Sequence, residues 1–148
     1  MKIKRLTETA KLPVRATEES AGYDLYADIP RQIAIHPGEI RRVGTGIAME
    51  LTEPGCAGFV FARSSLAANH GMAPANCVGV IDRDYRGELI VALQNHGRET
   101  FILHPGDRFA QLVILPVLTP PLEEVQELGE TARGQGGYGS TGRGRLGE

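Results

Sequence analysis

Short stretches of β-type alternation, broken by Gly, Pro or Asp roughly every ten residues, restrict the fold of this chain more than any other feature. "MKIKRL" alternates from the first residue, and "RQIAIH" puts Ile33 and Ile35 on one face. "GFVFAR", "CVGVI", "ELIVALQN" and "FAQLVIL" are β-branched or aromatic runs of strand length. The phrase "IHPGEI" (35–40) is echoed by "LHPGDR" (103–108). In both, Pro then Gly fills the centre of a type II turn, because proline presets φ and glycine accepts φ > 0. The helical signal is confined to "SSLAAN" (64–69), which predicts one or two turns behind a serine cap. Many short strands with frequent turns predict an all-β sandwich, jelly roll or barrel.

A chain of 148 residues is the size of one domain, and 41% hydrophobic with 23% charged residues is an ordinary globular composition. The predicted core spans 1–128, and 129–148 follow as a flexible arm. From Arg133 to Glu148, 7 of 16 residues are glycine, so the tail has few side chains to offset the backbone entropy lost on ordering. The formal net charge of -2 provides no global basic field to draw nucleic acid. The longest apolar run, "LVILPVL", is too short to span a bilayer and contains proline. No signal-peptide pattern opens the chain. The two cysteines, Cys56 and Cys77, belong to no CxxC or Cys/His cluster and read as buried free thiols in a reducing cytoplasm.

Four short stretches and the tail carry the candidate chemistry. In "NCVGVIDRDYRGEL" (76–89) an apolar strand ends at Ile81, and Asp82, Asp84 and Tyr85 follow in what reads as a hairpin loop. A carboxylate there can take a proton from water, and a ring three residues on can pack against a sugar or base. In "FARSSLA" (61–67), Arg63 adjoins a helix start at Ser64 and Ser65, a combination suited to phosphate as well as to simple capping. Asp24 in "AGYDLYA" is an acid in a strand-like segment, suited to a metal's waters, an arginine or a turn. Gln111 is the polar exception in "GDRFAQLVI". The glycine-rich tail can wrap an anion, bind RNA through "RGRG", or remain disordered. His36, His70, His96 and His104 have no metal-ligand spacing, and there is no GxxxxGK[ST] and no GxGxxG that follows a strand.

Taken in order, "AGYDLYA", "ARSSLA", "GVIDRDYRGE", "GDRFAQLVI" and "RGQGGYGSTG" resemble the five motifs of the homotrimeric dUTPases over essentially the whole chain. The resemblance implies a β jelly roll assembled as a homotrimer, with active sites shared between subunits. It implies hydrolysis of dUTP to dUMP and pyrophosphate with Mg2+ along the triphosphate. By the same match Asp82 is the general base, Tyr85 packs on deoxyribose, and Asn76 with the backbone from Gly79 reads uracil. Arg63, Ser64 and Ser65 bind the phosphates, and Gln111 lies by the α-phosphate and the attacking water. Asp24 holds outer-shell waters of the metal. Tyr138 stacks over uracil, while Arg133, Ser140 and Thr141, with Gly139 beside them, hold the γ-phosphate. Ala62, Ser65 and Tyr138 depart from the commoner proline, glycine and phenylalanine of the family. A dCTP deaminase on the same scaffold is the nearer alternative, and its added groups have no matching signature here. The other is a non-catalytic jelly roll with an RNA-binding tail.

Overall fold

The structure, a computed structural model, describes residues 1–137. It contains ten strands and one helix in the order β1 (Lys2–Arg5), β2 (Tyr23–Tyr26), β3 (Ile33–Ile35), β4 (Ile40–Glu50), β5 (Cys56–Ala62), α1 (Ser64–His70), β6 (Met72–Pro74), β7 (Gly79–Ile81), β8 (Glu88–Asn95), β9 (Phe101–Leu103) and β10 (Arg108–Pro116). One four-stranded sheet has the order β1-β4-β8-β6, a second has β2-β10-β5-β7, and β3 pairs with β9 in a small third sheet. Every pairing is antiparallel. The two large sheets form the layers of a jelly roll, as the alternation predicts.

The core lies between them. Val43, Ile47 and Met49 of β4 and Leu89, Val91 and Leu93 of β8 come from the first sheet. They share one apolar cluster with Leu25, Val60, Phe109, Ala110 and Leu112 from the second. In β8 the alternation is nearly complete, with Leu89, Val91, Leu93 and Asn95 buried. Asn95 is the polar member, and its amide is fully used: Nδ2 donates to the carbonyls of Ile35 and Glu99, and Oδ1 accepts from the Gly97 N–H.

Both Pro-Gly turns form as expected. Gly38 and Gly106 each adopt φ 79°, and Glu39 N–H and Asp107 N–H close back onto the carbonyls of His36 and His104. The acids reinforce the turns, because Glu39 and Asp107 accept the N–H of His36 and His104 respectively.

Three local expectations are corrected. The helix begins behind Arg63, whose φ of -80° and ψ of 134° make it the N-cap, with no serine side-chain cap. The segment 76–89 is not a hairpin, since β7 pairs with β5 and β8 pairs with β4 and β6, so the Asp82–Gly87 loop crosses between sheets. Cys56 is only half-buried and Cys77 is exposed. Cys77 has φ 63° and centres a γ-turn in which Val78 N–H donates to Asn76 O at 2.7 Å.

Beyond Pro116, residues 117–137 contain neither helix nor strand, and Leu118, Leu122 and Leu128 lie almost wholly in solvent. Among the described residues, no helix is long and apolar enough to cross a membrane.

Candidate active site

One cleft of about 640 Å³ gathers polar side chains of three sequence motifs. Asp24, Arg63, Ser64, Ser65 and Gln111 line it, with Ala16, Ser20 and Gly22 on the facing loop. Strand register explains the meeting. Gln111 of β10 lies opposite Asp24 of β2 on one side and Phe61 of β5 on the other. Directly opposed residues share a face, so the amide and the carboxylate emerge together. Arg63 follows β5 by one residue and swings over the same face.

Asp24 is the centre of charge in this cleft. It is 8% exposed. Its Oδ1 accepts from Arg63 Nε at 2.8 Å, and its Oδ2 accepts from Arg108 Nη1 at 3.0 Å. Such charge-assisted bonds are what a nearly buried carboxylate requires. Arg63 Nη1 also donates to the carbonyl of Arg108 at 3.2 Å, which fixes the guanidinium plane. Ser64 and Ser65 are exposed at the start of α1.

Gln111 is oriented by its surroundings. Its Nε2 donates to Ala62 O at 2.8 Å. A Cβ on Gly22 would lie 2.8 Å from Gln111 Oε1, closer than such contacts allow. Glycine at 22 is what lets the acceptor end of this amide lie along the cleft.

The other predicted residues stand apart. Asn76, Asp82 and Tyr85 are all exposed around β7, which is the edge strand of its sheet. Asn76 is close to Gly79, within 3.8 Å of where a Cβ would be. The Tyr85 hydroxyl donates to Glu88 O at 3.0 Å, and its ring lies across Gly87, where any Cβ would collide with it. Gly79 pairs with Val60 and Ile81 with Gly58, so Asp82 projects from the end of β7 remote from Arg63. At ~3.3 Å per residue the two are about 20 Å apart along the strands. Within one chain Asp82 is therefore remote from the Asp24–Arg63–Gln111 cleft.

Arg133 is exposed, and its Nε donates only locally, to Gly136 O. Tyr138, Gly139, Ser140 and Thr141 lie outside the described residues. Arg108 was not singled out in the sequence. Its signal was its place in "GDRFAQLVI", three residues before Gln111, but plain alternation assigns the two to opposite faces.

The protein's class follows from this fold and these motifs. A family model described as dUTPase matches residues 8–142. The chain is 50% identical over 138 residues to the deoxyuridine 5'-triphosphate nucleotidohydrolase of Desulfitobacterium hafniense, covering 93% of this chain and 91% of that protein. It is 45% identical to the protein of the same name from Idiomarina loihiensis, over 94% and 92% of the two chains. Among solved structures, a mutant dUTPase of Staphylococcus bacteriophage 80alpha with dUpNHpp superposes with a TM-score of 0.81 at 25% identity, over 95% of this chain and 97% of that one. A mutant dUTPase from phage phi11 of S. aureus, described with a coordinated structural Mg(II) ion, gives 0.78 at 24% identity over 87% and 98%. This chain belongs to the dUTPase family.

Proposed function

We propose that this protein hydrolyses dUTP to dUMP and pyrophosphate. The observation that carries the reading is the convergence of Asp24, Arg63, Ser64, Ser65 and Gln111 on one cleft in a chain of the dUTPase family. One feature supports the shared sites of a homotrimer: Asp82 and Arg63 are separated within one chain. Asp82 of one subunit would then complete the cleft of its neighbour.

In that shared site the Asp82 carboxylate takes a proton from a water as its oxygen attacks the α-phosphorus. The bond between the α-phosphorus and the bridging oxygen breaks, and pyrophosphate leaves. Arg63, Ser64 and Ser65 hold the phosphates, and Gln111 Oε1 accepts a hydrogen bond from the attacking water. Such positioning and charge neutralisation supply most of the catalysis in phosphoryl transfer. Asn76 and the backbone at Gly79 read uracil, and Tyr85, braced by Glu88 O, packs on deoxyribose. Residues 129–148 form an arm over the site, with Tyr138 on the base and Arg133, Gly139, Ser140 and Thr141 at the γ-phosphate.

The donor set suits a Mg2+ that arrives on the triphosphate. Among the described residues no three His, Cys, Asp or Glu side chains cluster, and both Asp24 oxygens already accept from arginines. Asp24 is left to touch a metal through water, and the ion when bound supplies charge neutralisation to the phosphates. We place the enzyme in the cytoplasm.

The test is pyrophosphate release with Mg2+ and each of dUTP, dCTP, dTTP and UTP. Turnover of dUTP is expected to exceed the others by orders of magnitude: the ribose hydroxyl of UTP packed against Tyr85 has no partner, and the base reading by Asn76 and the Gly79 backbone leaves no fit for cytosine or for thymine's methyl. Equal turnover of all four would overturn the reading. Gly22→Ala supplies a finer check. The added methyl displaces the movable end of Gln111 and leaves backbone pairing intact. Thermal stability is expected to change little, while kcat falls roughly tenfold to a hundredfold through the misplaced amide. Wild-type kcat in this variant would remove Gln111 from the attacking water.

A further inference from the structure

We propose that Arg108 is a positioning residue of the phosphate cleft, acting on Arg63 through Asp24. The inference rests on the triphosphate reading above for the ligand, and on strand geometry for the residue.

Simple alternation along β10 gives Arg108 the face opposite Gln111. The ladder with β2 breaks that rule. Arg108 lies opposite Tyr26, Ala110 opposite Leu25, Gln111 opposite Asp24, and Phe109 is the extra residue between. Phe109 and Ala110 are consecutive and both buried, as a bulge permits. One inserted residue reverses the phase of everything before it. Arg108 therefore emerges on the face of Tyr26 and Asp24, where its Nη1 reaches Asp24 Oδ2 at 3.0 Å. Bulges commonly re-aim a side chain in this way.

The consequence is electrostatic and geometric. Asp24 and Arg63 alone would form a neutral pair. With Arg108 the trio carries two positive charges and one negative, so it keeps a net positive charge for an anion. Asp24 is shared between two guanidiniums and takes Arg63 only through Nε. Without Arg108, the freed Oδ2 is open to a second bond from Arg63, which would turn its fork away from the cleft. The Arg108 carbonyl, accepting from Arg63 Nη1, is the second hold on that plane. Among the described residues, Arg63 Nη2 has no hydrogen-bond partner, leaving donors for a phosphate.

Arg108→Gln, Arg108→Lys, Asp24→Asn and the double variant Asp24→Asn/Arg108→Gln test this in the full chain. Inorganic tripolyphosphate is titrated by calorimetry, and dUTP kinetics and thermal midpoints are measured in parallel. Arg108→Gln is expected to weaken tripolyphosphate binding and raise KM about tenfold, with kcat changed less than threefold. Arg108→Lys restores most of the affinity by returning the charge. In the Asp24→Asn background, Arg108→Gln adds little further loss. Wild-type affinity and KM in Arg108→Gln overturn the proposal. So does a loss that follows the thermal midpoint and that lysine does not recover. Should Arg108→Gln fail to fold, Arg108→Lys decides alone, with a two- to fivefold weaker affinity expected from losing the fork and an unchanged affinity overturning the proposal. Failure of the wild type to turn over dUTP would count against the proposed function, while the tripolyphosphate titrations would still report on Arg108.

Discussion

Asp82→Asn is expected to lower kcat by about a hundredfold to ten-thousandfold, the range associated with removing a general base. Substrate binding should survive, since asparagine keeps the shape and the binding groups lie elsewhere. Folding should be unaffected, because Asp82 is exposed and makes no side-chain hydrogen bond among the described residues. The measurement is single-turnover pyrophosphate release beside calorimetric dUTP binding, and near-normal turnover would remove Asp82 as the base. The separation of Asp82 from Arg63 adds a sharper consequence. Asp82→Asn and Arg63→Ala chains, each inactive alone, should regain part of the activity when refolded together, because a site can then draw an intact residue from each. Failure to complement would argue that each chain builds its own site.

Deleting residues 133–148 is expected to remove nearly all turnover while leaving the core folded. Among the described residues the last strand ends at Pro116, and no strand pairing involves a residue beyond it. The loss should reach two or three orders of magnitude, the scale set by removing donors to developing charge in a site closed to water. Circular dichroism should be superimposable on that of the intact chain, and initial rates with dUTP should not be. A truncated chain with full turnover would leave the tail as an ordinary frayed end.

Several of the departures come from places where the next neighbour in space was not the next in sequence. Strand β4 runs for eleven residues, "IRRVGTGIAME", through a Gly-Thr-Gly centre. Gly46 takes φ 63° there, and the pairing with β8 shifts register between Gly44 and Ala48. The loop after Ile81 carries the residues of a hairpin, but its flanking strands join different sheets. Cys77 has apolar neighbours in sequence and still faces solvent, because the γ-turn before β7 aims it outward. Asp24 shows the same limit at the level of function. An acid in a strand suits a metal's waters or an arginine equally, and only the fold brought Arg63 and Arg108 to its two oxygens.

Period-two alternation and turn chemistry are local properties, so the sequence by itself determined an all-β chain, its two Pro-Gly turns and the order of its five motifs. Pairing register, bulges and sheet membership depend on residues far apart in the chain. These were decided by the tertiary structure, which gathered Asp24, Arg63 and Gln111 into one cleft, turned Arg108 toward Asp24, and left Asp82 at the far end of an edge strand.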